Sequence, residues 1–297
     1  MLNVIWVLEN IKGHKSFYNE LDTLLLISSA LLWEKYNKGT KKILYCDSLT
    51  KKYIDDITTI HTAAERVITH TQIWDEIHIL PTNKHINKNI FWASSKLEVL
   101  RNVNHNTLIL DHDFLVYSNF TKYLNSTPVF CFEEDGSNYY PTRYDPLIRS
   151  LDHLISTSST SAINCCFNYF PNKIISNEYA RLSLDIMHEL TNSKKHLTSK
   201  YLIYAEQLAL KYFLDQNKVE FNTLLKGVHN SKKDTWLKTN NGIFELDEAD
   251  LHFRHYWKDK KKIKNNQDGF DYKEEITILY NILKGSKCSI SLTSDNS

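Results

Sequence analysis

Short apolar runs alternate with helical patterns through the first half of this 297-residue chain. Residues 4–8, 42–46, 76–80 and 107–110 are typical of buried strands, and the stretch FYNELDTLLLISSALLWEKY is typical of an amphipathic helix. This alternation predicts an α/β fold, in which a mostly parallel sheet is flanked by helices on both faces. Ligands of such sheets bind beyond the carboxyl ends of the strands, so functional residues are expected there.

The second half shows a more mixed pattern, without internal repeats or Pro- or Gly-rich linkers. Predicted helices cover residues 146–155, 177–190, 200–215 and 272–283, and short strands are predicted at 129–132 and near 164–169, 219–224 and 251–257. We therefore predict one elaborated domain over residues 1–285, followed by a disordered polar tail at 286–297.

Charge and hydropathy argue against two classes of partner. The 36 Lys and Arg residues balance 35 Asp and Glu residues, leaving a net charge of +1, so nucleic acid is not expected to bind. No apolar run reaches the roughly 18 residues of a membrane span, and the N-terminus MLNVIWVLEN lacks the features of a secretory signal. We expect a cytoplasmic protein without an integral membrane segment. Abundant Asn, Lys and Ile indicate AT-rich coding, and hence a low-GC microbe or a large virus.

Cysteine and glycine usage argues against several kinds of site. The five cysteines include no CxxC pair, so neither a disulfide framework nor a thiolate zinc site is predicted, and we expect free, mostly buried thiols. Only seven glycines are present, and none forms a G-x-G-x-x-G or Walker-type loop. Any phosphate must therefore be held by a metal or by side chains.

Two carboxylates follow the fourth predicted strand, in the stretch NTLILDHDFLVY. Asp111 and Asp113 are two residues apart, so their side chains point the same way if strand geometry persists, and they can share one ion. An ionised aspartate is rarely buried unless it is paired or holds a metal. Oxygen ligands suit a hard cation such as Mn²⁺ or Mg²⁺. The alternative is a solvated loop that binds nothing.

A second polar cluster lies near the C-terminus, in the stretch ADLHFRHYWKDKK. The imidazole of His252 could complete a metal site with Asp111 and Asp113, and the ammonium group of Lys258 could offset the charge of a diphosphate. Each residue also has a simpler explanation. A lone histidine is more often part of the core or the surface, and a run of lysines is usually a solvated face.

The Asp-x-Asp pair and the late histidine together resemble the GT-A class of nucleotide-sugar glycosyltransferases. In that class an Asp-x-Asp motif at a strand end holds a divalent metal that bridges the diphosphate, and several retaining families add a late His-Phe-x-Gly-x-x-Lys motif. This chain reads HFRHYWK from His252 to Lys258, with His255 in place of the glycine. The resemblance implies a metal on Asp111, Asp113 and His252, with Lys258 on the phosphates, and it leaves open whether His252 or His255 binds.

Other segments resemble the same class in their order and spacing. Asp47, which ends KKILYCD, would contact the base or ribose, unless it only caps the following turn. Lys96, in FWASSKLEVLRN, would approach the donor diphosphate, unless it is a solvated helix lysine. Asn164, in INCCFNYF, matches the first residue of an Asn-x-Gly strand that lines the acceptor side, with Cys166 in place of the glycine.

Glu206 is the candidate general base or acceptor-binding residue, and with Asn164 it makes up the predicted catalytic set. In YLIYAEQLALKYF it shares a helical stripe with Leu202, Ala209 and Phe213. A carboxylate on an apolar stripe is informative because ionised groups are costly to bury. The alternative is that Glu206 is only the edge residue of a wide buried face.

The resemblance implies a metal-dependent glycosyltransferase of the hexosyltransferase type. Such an enzyme would use Mn²⁺ or Mg²⁺ to move a sugar from a nucleoside diphosphate, with UDP as the first choice, to a hydroxyl group in glycan or polysaccharide synthesis. Residues 1–115 would form the nucleotide-binding half and residues 116–285 the acceptor-side half. Two alternatives stay open. A metal-dependent phosphoesterase would also use Asp-His-Asp with a remote histidine to activate water, and a catalytically degenerate protein would only bind nucleotide-sugars.

Overall fold

The structure is a computed structural model in which the strands and helices have the following bounds. It describes residues 1–9, 20–59, 73–80, 85–104, 106–135, 141, 144–156, 161–193, 195–230, 233, 235–239, 242–256 and 259–285. The strands are β1 Asn3–Leu8, β2 Lys41–Cys46, β3 Glu76–Ile79, β4 Thr107–Leu110, β5 Phe114–Val116, β6 Val129–Phe130, β7 Glu133–Asp135, β8 Ser161–Ile163, β9 Phe167–Phe170, β10 Asn222–Thr223, β11 Gly227–Asn230, β12 Thr235–Lys238 and β13 Phe253–His255. The α-helices are α1 Glu20–Tyr36, α2 Ser48–Thr59, α3 Ser94–Asn102, α4 Pro146–Arg149, α5 Lys173–Asn192, α6 Ser199–Ile203, α7 Ala209–Gln216, α8 Ala249–His252, α9 Asp259–Lys264 and α10 Tyr272–Gly285.

Seven strands form the main sheet in the order β10-β6-β9-β4-β1-β2-β3. Strands β1 to β4 are parallel to one another, β9 is antiparallel to both β4 and β6, and β10 is parallel to β6. The predicted mostly parallel α/β sheet is therefore confirmed. The order β3-β2-β1-β4 turns back between β1 and β4, which makes this gap a topological switch point, where open α/β sheets bind their ligands.

The two faces of the main sheet carry separate apolar cores. Because side chains alternate along a strand, Trp6 of β1 lies in the core that contains residues of α1 and α10, whereas Ile5 lies in the core that contains residues of α3, α5 and α7. Both side chains are buried. Helices thus cover both faces, and the carboxyl ends of the strands are left to polar side chains.

A two-stranded sheet brings the C-terminal part of the chain to the end of β4. Strand β13 pairs antiparallel with β5, in a register that sets Phe253 opposite Val116 and His255 opposite Phe114. A further four-stranded sheet has the order β12-β11-β7-β8. Because β5 follows Asp113 directly, the pairing places residues of β13 beside the predicted metal ligands.

Some predicted elements have different bounds in the structure. The strand predicted near 164–169 is β9, which begins only at Phe167, because Asn164 Oδ1 accepts a hydrogen bond from the backbone N–H of Cys166, 3.2 Å away, and the chain turns there after β8. Helix α4 ends at Arg149, and turns follow it where residues 150–154 were predicted to be helical. The strand predicted near 251–257 begins only at Phe253, after the short helix α8.

The cysteines of the described residues agree with prediction. Cys46, Cys131, Cys165 and Cys166 are free and buried, and Cys288 lies outside the described residues. The tail predicted to be disordered at 286–297 lies outside them as well. Across the described residues, the helices are too short or too polar to span a bilayer.

Candidate metal centre

Acidic residues follow three neighbouring strands at one edge of the main sheet. Glu9 comes directly after β1, Asp47 after β2 and Asp111 after β4. The pairing of Leu8 with Cys46 on β2, and of the β1 residue Trp6 with Leu110, sets these ends side by side. Polar side chains therefore gather at the switch point between β1 and β4, as expected for a ligand site.

Asp111, Asp113 and His255 form a cluster with the geometry of a metal site. One oxygen or nitrogen atom of each residue lies within 4.8 Å of those of the other two. His255 Nε2 is 3.6 Å from Asp113 Oδ1, because β13 holds His255 opposite Phe114. Two carboxylates and one imidazole suit Mn²⁺ or Mg²⁺, which would keep further positions for water or phosphate oxygens. The donor set therefore fits the predicted metal.

Asp113 and His255 are electrostatically linked to each other. Burial would raise the pKa of Asp113, but His112, His255 and Lys260 hold this pKa well below its ordinary value. Burial would lower the pKa of His255, but contacts with Cys166 and Asp113 raise it well above its ordinary value. The carboxylate is therefore ionised although it is only 3% exposed.

His252 lies outside the cluster of Asp111, Asp113 and His255. Its ring stacks on that of Phe244, with centroids 4.1 Å apart, and its Nδ1 is 3.1 Å from the hydroxyl of Ser118. The structure therefore does not bring together the predicted set of Asp111, Asp113 and His252. His255, the other imidazole that the sequence left open, takes the third position.

Lys96 is held by three acceptors rather than by solvent. Its Nζ is 3.0 Å from Asp111 Oδ1, 3.0 Å from Glu206 Oε1 and 3.0 Å from the carbonyl oxygen of Cys165. Burial would lower the pKa of Lys96, but the two carboxylates raise it well above its ordinary value. The contacts with Asp111 and Cys165 are hydrogen bonds, and the contact with Glu206 is an ion pair. Lys96 therefore holds the side chains of Asp111 and Glu206 close to each other.

Glu206 sits in a π-helical turn, Tyr204–Leu208, between α6 and α7. Such turns are uncommon and are often found at functional sites. The side chain is buried, as its position on an apolar stripe predicted. Burial raises the pKa of Glu206, while Lys96 opposes this rise and Asp111 adds to it. Glu206 is thus connected to Asp111 through one lysine.

Asn164 and Asp47 both stabilise local structure near the site. Asn164 Nδ2 donates to Glu134 Oε1 at 2.9 Å, and the turn that Asn164 forms places the carbonyl of Cys166 where the backbone N–H of Asp111 donates to it at 2.9 Å. Asp47 Oδ1 accepts hydrogen bonds from the backbone N–H groups of residues 49 and 50 at the start of α2. Asp47 therefore has the capping role that the sequence allowed.

Two lysines and one imidazole that were not among the predicted site residues surround Asp113 and Asp22. Lys260 Nζ lies 2.8 Å from Asp113 Oδ2 and 3.5 Å from Asp22 Oδ1, and Lys264 Nζ lies 3.0 Å from Asp22 Oδ2. His112 Nε2 is 3.5 Å from Asp22 Oδ1. Burial would raise the pKa of Asp22, but His112, Lys260 and Lys264 hold it far below its ordinary value.

Two sequence signals could have found these residues. Asp22 lies among the leucines of α1, which is the same signal that identified Glu206. Lys260 and Lys264 are four residues apart and therefore share one face of α9. Lys258, the predicted phosphate-binding lysine, lies outside the described residues.

A smaller cluster lies at the carboxyl end of β1. Lys88 Nζ is 2.7 Å from Glu9 Oε1 and 3.2 Å from the hydroxyl of Ser95, which in turn donates to Glu9. Glu9 was not predicted, although it follows a buried strand just as Asp111 does. These contacts fix the start of α3, which carries Lys96.

Comparison with known proteins adds no family assignment. No protein-family model matches the chain, and no curated protein matches its sequence at a significant level.

Proposed function

We propose that the protein is a metal-dependent glycosyltransferase with a GT-A-like fold. It would transfer a sugar from a nucleoside diphosphate, with UDP as the first choice, to a hydroxyl group of a glycan or another acceptor. The observation that carries the proposal is the cluster of Asp111, Asp113 and His255 at the switch point of the sheet, with ligand atoms within 4.8 Å of one another. The mostly parallel sheet with helices on both faces is compatible with this fold.

The charges around the cluster support a diphosphate as the ligand. Lys260, Lys264 and His112 lie on the Asp113 side of the site. The chain has no glycine-rich phosphate loop, so cationic side chains and a metal are the available partners for phosphate oxygens.

The residues of the site would take distinct roles in the transfer. Asp111, Asp113 and His255 would hold a divalent cation, whose chemistry there is to stabilise the negative charge that develops on the leaving diphosphate. Lys96 keeps Asp111 and Glu206 in place through its 3.0 Å contacts. Glu206 and the polar group of Asn164 and Glu134 would face the sugar and the acceptor.

The two imidazoles of the late segment provide a matched test. UDP binding is measured by calorimetry with and without Mn²⁺ for the wild type, His255→Gln and His252→Gln. We expect His255→Gln to weaken Mn²⁺-dependent UDP binding by about 10- to 100-fold, because it removes a ligand. His252→Gln should change this affinity by less than about 3-fold, since His252 stacks on Phe244 and contacts Ser118.

Activity assays separate the proposal from its alternatives. Slow Mn²⁺-dependent hydrolysis of one sugar nucleotide in a panel supports the transferase. Release of phosphate from simple phosphoesters would instead indicate the phosphoesterase, and Mn²⁺-dependent UDP binding with no turnover of any donor would indicate a degenerate binding protein. If the affinity for UDP is the same with and without Mn²⁺, the metal assignment is wrong.

A further inference from the structure

Lys260 pairs with one of the two carboxylate oxygens of Asp113, beside the proposed metal cluster. Its Nζ lies 2.8 Å from Asp113 Oδ2, while the other oxygen, Oδ1, faces His255 at 3.6 Å. The same ammonium group lies 3.5 Å from Asp22 Oδ1 and 3.4 Å from His112 Nε2. Asp113 is therefore already neutralised by a cation that belongs to the chain.

The second carboxylate of the pair is neutralised in the same way. Asp111 is 3.0 Å from Lys96. A divalent cation arriving at the site would meet two ammonium groups, and like charges in a partly buried site repel each other strongly. Binding of metal alone is therefore opposed by the protein itself unless one of the lysines moves.

Only one of the two lysines is placed to move. Lys96 is surrounded by Asp111, Glu206 and the carbonyl of Cys165, all at 3.0 Å, and its side chain is 13% exposed. Lys260 lies on the short helix α9, its side chain is 21% exposed, and its Nζ contacts the side chains of Asp113, Asp22 and His112. A flexible four-carbon stem lets such a lysine change partners easily.

We propose that Lys260 is an internal counter-ion, which pairs with Asp113 until metal and diphosphate arrive together and then pairs with the diphosphate. The idea rests on the proposed function, because it takes the diphosphate as the anion that receives Lys260. Its consequence is that metal and nucleotide bind with positive coupling. Each ligand alone would leave a charge uncompensated, whereas the two together satisfy Asp113, the metal and Lys260.

The test measures Mn²⁺ binding by electron paramagnetic resonance, which needs no turnover. In the wild type, UDP should increase the affinity for Mn²⁺ at least about 10-fold, after subtraction of the Mn²⁺ that UDP binds in buffer. Lys260→Met should bind Mn²⁺ alone about 10-fold more tightly than the wild type. In this variant the effect of UDP on Mn²⁺ affinity should shrink to less than about 3-fold.

Two further variants keep the test decisive. Lys261→Met alters the exposed neighbour on the same helix and should behave as the wild type. Lys260→Gln is neutral but retains a hydrogen-bond donor for Asp113, so it provides the same comparison if Lys260→Met does not fold by circular dichroism.

The outcomes distinguish this inference from the proposed function. If both Lys260 variants bind Mn²⁺ alone as weakly as the wild type while UDP binding still requires Mn²⁺, the counter-ion role is wrong and the proposed function stands. The same conclusion follows if UDP leaves the wild-type Mn²⁺ affinity unchanged. If Mn²⁺ does not bind with or without UDP, both ideas fail.

Discussion

The carboxylates of this site are paired with lysines of the chain, and two of these lysines each pair with two carboxylates. Asp111 and Glu206 share Lys96, and Asp113 and Asp22 share Lys260. A buried ion whose partner is removed costs several kcal/mol. Neutral substitutions of single residues here should therefore change stability as well as binding, and functional measurements need variants that remain folded.

Glu206→Gln tests the environment of this carboxyl group through the pH dependence of stability. The pKa of Glu206 is raised above its ordinary value of 4.5, because burial outweighs the effect of Lys96. A raised carboxyl pKa contributes stability that is fully present below the unfolded pKa and is lost as the pH rises. The melting temperature of Glu206→Gln minus that of the wild type should therefore become more positive from about pH 4.5 towards pH 7.

Thermal melts across this pH range provide the measurement. Glu189→Gln, at an exposed pairing with His153, serves as the control and should show little trend over the same range. A difference for Glu206→Gln that stays flat or becomes more negative as the pH rises would show that Lys96 dominates over burial.

At the scale of elements, the site depends on how β13 is held against β5. His255 reaches Asp113 because the register sets it opposite Phe114, and Tyr256 extends the pairing through a 3.1 Å hydrogen bond from its N–H to the carbonyl of Asp113. A change of one residue in the register would turn every side chain of β13 to the other face. The aromatic residues around β13, including Phe244 and Phe253, help to fix that register.

Gly242→Ala should disturb this arrangement through the backbone. Gly242 has a φ of +131°, and a Cβ atom there would lie 2.5 Å from the carbonyl carbon and oxygen of Leu225, whose bridge to Phe244 supports the aromatic group. We expect a loss of about 3 kcal/mol or more in the free energy of unfolding, because both the dihedral angle and the contact are unfavourable.

Gly39→Ala is the matched control for that substitution. Gly39 also has a positive φ, +79°, but a Cβ atom there meets nothing within 4 Å. It should lose only about 1 kcal/mol, the cost of the dihedral angle alone. Urea unfolding compares the two variants, and equal losses would show that the contact with Leu225 is unimportant.

The elements themselves were predictable where their patterns are local. The strands of the parallel half and helix α1 follow from apolar periodicity, which a short window contains. The turn that delays the start of β9 to Phe167 involves a side-chain hydrogen bond, from the backbone N–H of Cys166 to Asn164 Oδ1. Apolar periodicity and strand propensity do not predict such a side-chain hydrogen bond.

For the whole molecule, the acidic residues of the site predict sensitivity to acid. The pKa values of Asp22 and Asp113 lie below their ordinary value of 3.8 in the folded chain. A lowered carboxyl pKa contributes stability above the unfolded pKa, and this stability is lost as the pH falls through the lower, folded value. The urea midpoint should therefore fall steeply below about pH 4.

The contribution of Asp22 can be isolated by substitution. Asp22→Asn should make the urea midpoint depend less steeply on pH between about pH 2.5 and 4, because it removes one of the two carboxyl groups. Asp268→Asn removes an exposed carboxylate that pairs with Lys262 at the surface, and it should leave the slope unchanged. Identical slopes for wild type and Asp22→Asn would contradict the strong pairing of Asp22.

The sequence identified those site residues whose local sequence context is unusual. Asp111, Asp113 and Glu206 stand out because carboxylates in apolar stretches are unusual. The choice of His255 over His252 and the partners of Lys260 depend on contacts between distant parts of the chain. These contacts arise from strand register and helix packing, neither of which one sequence specifies by inspection.

The distance along the chain between the two sides of the site has a consequence for its biosynthesis. His112 and Lys260 are 148 residues apart, which a ribosome takes roughly 7 to 30 s to add at 5 to 20 residues per second. The last strand of the main sheet, β10, ends at Thr223, before β13 and α9 are made. A nascent chain can therefore complete its sheet while Asp113 is still hydrated and without a cation. A product that stops before β13 would carry Asp111 and Asp113 without His255 and Lys260, so the complete cluster forms only in chains that extend through α9.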